Sequence, residues 1–491
     1  MLTLLRFVQD GQVPLLGPPT SIGDFHHGAA YYFLFAPAAW LSGANPDAML
    51  LTIAGLGTAA VGVTWWLARS VGGRAAGAIA GLLLAVSPAA VEESTFLWNP
   101  NPIPFFAAVA LAAAWRARQT RRDRWWVLSI ASGGMVMQLH VLGIVFLPPI
   151  LAFGVAEAIG ALREGNRVRA RRIAAGLAAG LAVVAALYVP LLINELQTGF
   201  EETGRFIAFF RGGSPGSAEG LDPVMRLLFT GLRIVGWPLV GLVTSAPLAA
   251  ILAVSTAAGL GLWLMVAGHG EERTAARWLG FTVGWSALAL TVLAPSLQTV
   301  VAGLPNDHYH AFLDPVVVIL VALAVRALGS GSGLQVGADR AARVVATAAI
   351  VALVAFDLGR WPPLTQPNGG WPAARDAGAR IVAGSPGATF DVRGLPIFKT
   401  AEGIGYPIVA AGGSAIIATN EDDSRLALAP GALFVISCDR LFETVIGDPC
   451  GGAAEERYLG RIPGIGTGPA APVLIDRFDA SPRTSVSVYQ P

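Results

Sequence analysis

Arg116-Ala117-Arg118-Gln119-Thr120-Arg121-Arg122-Asp123-Arg124 stands between two apolar runs, 101 to 115 and 125 to 139. Five arginines in nine residues cannot lie in hydrocarbon, and the flanking runs avoid water. The stretch therefore reads as a short loop between two membrane spans. The same alternation recurs along the chain. Ten runs read as spans: 48 to 68, 75 to 90, 101 to 115, 125 to 139, 141 to 160, 173 to 193, 240 to 267, 278 to 296, 311 to 327 and 341 to 358. Every second short connection is rich in arginine: 69 to 74, 116 to 124, 161 to 172, 268 to 277 and 326 to 343 hold 17. The short connections of the other parity hold none. Positive charge stays on the cytoplasmic side, which orients the bundle. Only the long connection 194 to 239 breaks the pattern, with Arg205, Arg211, Arg226 and Arg233, and long loops follow the charge rule poorly.

Composition agrees. Of 491 residues, 54% are hydrophobic and 13% charged, and mean hydropathy is +0.60. A soluble chain carries about 25% charged residues. A disordered protein, a coiled coil and an ordinary soluble enzyme are excluded. The net charge of +1 gives no support to a nucleic-acid partner. No P-loop, no dinucleotide fingerprint, no GxSxG and no CxxC occurs, so nucleotide-driven chemistry has no support.

Three regions follow: an outer loop with an interfacial helix over 1–47, a membrane domain over 48–360, and an extracytoplasmic α/β domain over 361–491. Residues 28 to 43, with Tyr31, Tyr32, Trp40 and Pro37, read as a helix lying on the outer interface, where Tyr and Trp are favoured. Past 361, Pro and Gly rise. β-like runs appear at Ala388 to Val392, Ser414 to Ala418, Ala432 to Ser437 and Thr484 to Tyr489, with a helix-like run at Pro372 to Ala383. Cys438 and Cys450 fall in this outer domain, where an oxidising surrounding would pair them.

Polar groups concentrate on the outer side. His26, His27, His140, His308 and His310 lie there, as do Asp24, Glu92, Glu93, Glu195, Glu201, Glu202, Asp307 and Asp314. Asp24-Phe25-His26 spaces a carboxylate and an imidazole two apart, a pattern that suits either a divalent metal or a hydrogen-bonded loop. Asn306-Asp307-His308-Tyr309-His310 is similar. His140 lies between two apolar runs. Glu92-Glu93 opens a loop stiffened by Pro100 and Pro102. In the long connection, Phe200, Phe206, Phe209 and Phe210 accompany Arg205 and Arg211, a mixture that suits a lipid-linked phosphate or a headgroup-bound helix.

Asp24-Phe25-His26-His27-Gly28, the interfacial helix after it, the span ending Trp65-Trp66-Leu67-Ala68-Arg69, then Gly73-Arg74-Ala75-Ala76-Gly77 and Leu82 to Pro88, resemble the GT-C superfamily of membrane glycosyltransferases. The nearest branch holds the protein O-mannosyltransferases and the lipid A aminoarabinose transferases. The resemblance implies a polyprenyl-phosphate-linked sugar as donor and a glycan, lipid or protein acceptor outside the inner membrane. It implies an outer-loop carboxylate as base or metal partner. On it, Asp24, His26, Glu92 and Glu93 are the candidate catalytic residues. Asp24, His26 and His140 are the candidate metal ligands. Arg205 and Arg211 are the candidate contacts to the donor phosphate. The family also carries a first span and an acidic motif upstream of the His motif, which are not found in this sequence. The expectation is that the reading frame extends upstream by some 40 to 80 residues to encode them. A lipid flippase and a non-catalytic assembly subunit are the rival readings. A flippase would show paired repeats and charges deep inside spans, and neither is seen.

Overall fold

The computed structural model describes residues 1–20, 25–211, 222–298, 307–329, 336–363, 368–396, 401–418, 426–463 and 472–491. A helix stands at each of the ten expected spans. Helix Pro46–Val86 supplies two of them, because its backbone breaks at Gly73 (φ 79°, ψ −173°). The break reverses the chain. A Cβ on Gly77 would lie 2.8 Å from the Cβ of Arg69, and one on Gly81 would lie 3.2 Å from that of Trp65. Positions equally far on either side of Gly73 therefore face each other, as in an antiparallel hairpin. The positive φ at the turn is open to glycine at low cost.

Helices Ile103–Thr120, Arg124–Leu139, Leu147–Arg163, Arg167–Leu187, Pro247–Ala267, Gly270–Leu293, Asp314–Gly329 and Val336–Leu358 complete the bundle. The sequence expectation of two spans across 125 to 160 is met by a sharp break. His140 is extended (φ −154°, ψ 132°), and a 3-10 turn, Val141–Phe146, folds back on the preceding helix. A Cβ on Gly143 would come within 2.5 Å of the Val136 carbonyl oxygen, which shows how closely the two limbs pass. Seven described helices have the length and hydropathy to cross a membrane. The chain is a multi-pass membrane protein.

The two ends of the bundle differ as the charge pattern requires. At one end the arginine-rich turns meet. Arg118 pairs with Glu157 and, at 3.1 Å, with Glu271; Arg169 reaches Glu157 at 2.9 Å; Arg326 pairs with Glu272. Turns 116–124, 161–172 and 268–277 thus share one face. At the other end the arginine-free turns meet: the Asn99 side chain donates to the Leu139 carbonyl at 2.6 Å, and Trp98 packs on His308 with ring centroids 4.2 Å apart.

The connection 194 to 239 is more structured than expected. It contains helices Glu201–Arg211 and Pro223–Val240. The second is apolar enough to be a span. It packs against spans Pro247–Ala267, Gly270–Leu293 and Asp314–Gly329 and also touches Pro88–Glu93, Pro295–Gln298 and Asp307–Leu313 at the histidine end. Just beyond it, Ser245 accepts a hydrogen bond from Arg360, which follows the last span. Arg233 of this helix meets Asp307 at the histidine end, and the later arginine-rich turns stay together at the other.

Helix Ala30–Ser42 buries Tyr31, Tyr32, Phe35 and Ala39 while Phe33 and Trp40 stay exposed. Phe7, from helix Leu2–Asp10, packs edge-on against Phe33 and at a tilt against Trp40, with ring centroids 5.6 and 5.5 Å apart.

Past residue 370 the chain forms a helix, Gly370–Gly384, and a five-stranded sheet. Its strands are β1 (Thr389–Leu395), β2 (Ser414–Ile417), β3 (Leu433–Asp439), β4 (Val473–Asp479) and β5 (Thr484–Gln490), in the order β2-β1-β3-β5-β4. The β2-β1-β3 part is parallel and the β3-β5-β4 part antiparallel. Strand β4 was not expected. Cys438 at the end of β3 is bonded to Cys450, with a Cα separation of 5.8 Å. Tyr406 ties this domain to the membrane part by donating to the Ala44 carbonyl at 2.6 Å.

Candidate active site

The loop that opens the site is pinned by its backbone. Gly17 N donates to the His27 carbonyl at 3.0 Å and His27 N to that of Pro18 at 2.9 Å. A Cβ on Gly17 would sit 2.3 Å from the Gly28 carbonyl oxygen, so no other residue fits without moving the loop. Gly28 N in turn donates to the Gln138 carbonyl at 3.0 Å. This fastens the loop to the end of helix Arg124–Leu139, next to His140. His26 and His27 are thereby sent to different neighbours.

His26 meets Glu202. Its amide donates to Oε2 at 2.8 Å and its Nδ1 lies 3.1 Å from Oε1. Glu202 also receives Arg205 at 3.3 Å, while Arg205 reaches Glu201 at 2.7 Å. Burial pushes the Glu202 carboxyl up, but the hydrogen bonds and charge of His26, with Arg205 behind them, outweigh it and hold it below the usual range. Phe25 packs edge-on against Phe206 and Phe209 at 5.4 and 5.7 Å. His26 and Arg205 are thus joined, through a carboxylate to which the sequence reading gave no role. Arg211 is exposed at the far end of the same helix. Asp24 and Asn306 lie outside the described residues.

His27 meets His140 instead. The ring centroids are 5.0 Å apart, His140 lies 5.4 Å from His308, and Tyr309 lies 4.8 Å from His140. All three imidazoles are buried. Burial, aided by His26, drives the His27 pKa down to about 3; burial, with His27 and His308 close by, holds His140 well below its usual value. Burial thus disfavours the charged form of both rings, and His140 Nδ1 accepts from the Leu142 amide at 3.3 Å. Nδ1 of His27 and of His308 is buried with no hydrogen-bond partner among the described residues.

Beneath them lies an ion-pair network. Arg233 is fully buried and grips Asp307 through two bonds; its third donor reaches the Leu297 carbonyl at 2.7 Å. His310 Nε2 lies 3.1 Å from the same Asp307. Glu93 and Asp314 are buried nearby, and one oxygen of Glu93 and both of Asp314 have no partner among the described residues. Burial first, then the charges of Asp307 and Glu92, push Glu93 up to about 8, so it carries a proton at neutral pH. Glu92 is exposed beside it.

Of the expected metal ligands, His26 faces Glu202 and His140 faces His27. Among the described residues, no three His, Cys, Asp or Glu side chains converge as a metal site requires.

In the sequence Glu202 stands as one of the outer-face carboxylates and Arg233 as one of four arginines of the long connection, neither with a role of its own. The spacing of Asp307 and His310, three apart at the start of a span, was the available signal for the network.

Residues 26–193 match the family described as dolichyl-phosphate-mannose-protein mannosyltransferase. The match begins at His26 and takes in His27, Glu92, Glu93 and His140. Among solved structures, ArnT from Cupriavidus metallidurans in the apo state is similar over 99% of this chain and 91% of its own, at 13% identity and TM-score 0.50. The same enzyme bound to undecaprenyl phosphate scores 0.48, at 13% identity over 99% and 92%. An oligosaccharyltransferase from Archaeoglobus fulgidus, in complex with zinc and sulfate, scores 0.49, at 13% identity over 94% of this chain and 65% of its own. No curated protein matches the chain in sequence. The likeness to apo ArnT is one of fold. With the family match, it bears out the expected GT-C superfamily architecture, a helical membrane domain followed by a small α/β domain.

Proposed function

We propose that this protein transfers a sugar from a polyprenyl-phosphate carrier to an acceptor hydroxyl or amine at the histidine end of the bundle. The family match over 26–193 is the observation that carries the reading. It covers the histidine and carboxylate segments that the fold gathers at one end. The chemistry suits the place. A lipid-linked donor arrives within the membrane and needs no nucleotide site. In the reaction the bond between sugar C1 and phosphate oxygen breaks, and the acceptor atom bonds to C1 from the opposite face. The acceptor proton passes to a carboxylate, and the carrier phosphate leaves with the bonding electrons.

Asp24, adjacent in sequence to the Phe25–His26 pair, is the base in this reading. Arg205 holds the carrier phosphate. It shares Glu202 with His26 and precedes Phe206 in the chain, so a phosphate could meet its guanidinium while the lipid chain follows the aromatic face. Arg211 extends the basic edge. Glu93, protonated at neutral pH, offers a hydrogen bond to a sugar or acceptor hydroxyl without adding charge. The donor sugar belongs to the hexoses or pentoses, with the mannosyl description of the matched family as the first choice. The test is transfer of radiolabelled sugar from synthetic polyprenyl phosphate in membranes carrying the chain, with Asp24→Asn measured beside the wild type.

A further inference from the structure

The arginine end of the bundle encloses a cavity of about 230 Å³. It opens between the turn after helix Ile103–Thr120 and the turn after helix Leu147–Arg163. The proposed transfer does not use it, since that chemistry sits at the opposite end. Four guanidinium groups line it, from Arg118, Arg121, Arg169 and Arg172, against two carboxylates, Asp123 and Glu157. Among the lining residues alone the excess is two positive charges; Glu271 and Glu164, just outside, pair with Arg118 and Arg169.

The charges are unequally engaged. Glu157 is 11% exposed and is shared by Arg118 and Arg169, which also reach Glu271 and Glu164 at 3.1 and 3.3 Å. Arg121 and Arg172 have no carboxylate partner among the described residues. Arg121 caps its helix at φ 56°, the left-handed region where glycine is the ordinary choice. A long cation stands there instead, on the wall of the cavity. The floor is apolar, with the buried Trp126 and Ile173. The rule that keeps positive charge in the cytoplasm accounts for arginines at this end, but it does not call for a hollow among them. Two guanidinium groups without a carboxylate partner, on the wall of one cavity with an apolar floor, suit a phosphate group at the headgroup depth of an anionic membrane.

We propose that this cavity binds a phosphate anion, carried by a lipid headgroup or free in solution, through Arg121 and Arg172. The inference stands independently of the transferase reading.

The experiment uses the full chain in phosphatidylcholine nanodiscs doped with tetraoleoyl cardiolipin, with retained cardiolipin counted by native mass spectrometry. A second arm follows the melting temperature in neutral detergent as inorganic pyrophosphate is added. Arg121→Gln/Arg172→Gln should weaken binding by roughly tenfold or more. Arg163→Gln/Arg167→Gln removes the same charge from exposed positions of the same face and should leave binding unchanged. Arg172→Gln alone, on an exposed helix surface, covers the case in which the double variant fails to fold. Cardiolipin retention lost only in the cavity variants identifies the headgroup as the source. Stabilisation by pyrophosphate, lost in the same variants, identifies free phosphate. Equal losses in both double variants, or no binding of either probe by wild type, would overturn the proposal.

Discussion

Arg233 and Asp307 lie 74 positions apart in the chain and meet through two hydrogen bonds, Nε to Oδ1 at 3.0 Å and Nη2 to Oδ2 at 2.5 Å, with both side chains buried. The pair joins helix Pro223–Val240 to the turn Asp307–Leu313 that opens the span at Asp314–Gly329 and sets His310 against the same carboxylate. Removing one partner leaves a buried charge uncompensated, at a cost of roughly 3–5 kcal/mol. Asp307→Ala should therefore lower the melting temperature of the purified protein sharply, while the apolar double variant Arg233→Met/Asp307→Leu should recover most of it. Thermal unfolding in detergent reads both. Equal losses in single and double variants would show that the pair does more than neutralise itself.

A second expectation concerns pH. The Glu93 carboxyl, raised from an ordinary value near 4.5 to about 8, binds its proton more tightly in the folded protein. Its contribution to stability is full below the ordinary value and is lost as pH rises through about 8. If the protonated form also serves the reaction, transfer falls over the same alkaline limb. Glu93→Gln keeps the shape and the neutral charge and should flatten that limb. A limb unchanged in Glu93→Gln would assign it to another group.

Arg205→Gln removes the charge proposed to hold the carrier phosphate. A charge-assisted bond contributes about 1.5–3 kcal/mol. The donor KM should rise by roughly tenfold or more. Arg211→Gln, at the exposed end of the helix, should raise it less. Titration of synthetic donor at fixed acceptor distinguishes them, and an unchanged donor KM in Arg205→Gln would remove Arg205 from the donor site.

The bonded cysteines give a direct chemical check. Cys438 and Cys450 should resist alkylation in native protein and accept label only after reduction. Closing a loop of this length contributes roughly 2–4 kcal/mol. Ready labelling without reductant would contradict the pairing.

What the sequence disclosed depended on whether a residue's partner was near it in the chain or implied by a global rule. The arginine turns obey such a rule, and in the structure Arg118 and Arg169 meet on Glu157 as the charge pattern requires. The hairpin at Gly73 was legible from Arg69 and Arg74 alone. Helix Pro223–Val240 was not, because Arg226 and Arg233 gave it the look of a loop. Arg233 is compensated by a carboxylate far along the chain, which no local pattern reveals. Strand β4 escaped for a similar reason: Asp476, Arg477 and Asp479 break its apolar run, although Arg477 is satisfied by Glu455, Ser487 and Tyr489 once the sheet forms. In the site, the clustering of His27, His140 and His308 could be guessed only as a shared side of the membrane. Their contact arises from the extended backbone at His140 and the Gly17–Gly28 loop.

The proposed reaction moves a sugar from a polyprenyl phosphate at the histidine end of the bundle. The most direct measurement supplies inverted and right-side-out vesicles carrying the chain with a polyprenyl phosphate bearing a radiolabelled sugar, and follows label released from the lipid fraction into acceptor. The account predicts carrier-dependent transfer confined to the side opposite the arginine-rich turns, reduced 10²-fold or more in Asp24→Asn, on the scale of losing an acid–base group. Label that stays on the carrier and only crosses the bilayer, or that neither moves nor is transferred across a panel of hexose and pentose donors, would contradict it.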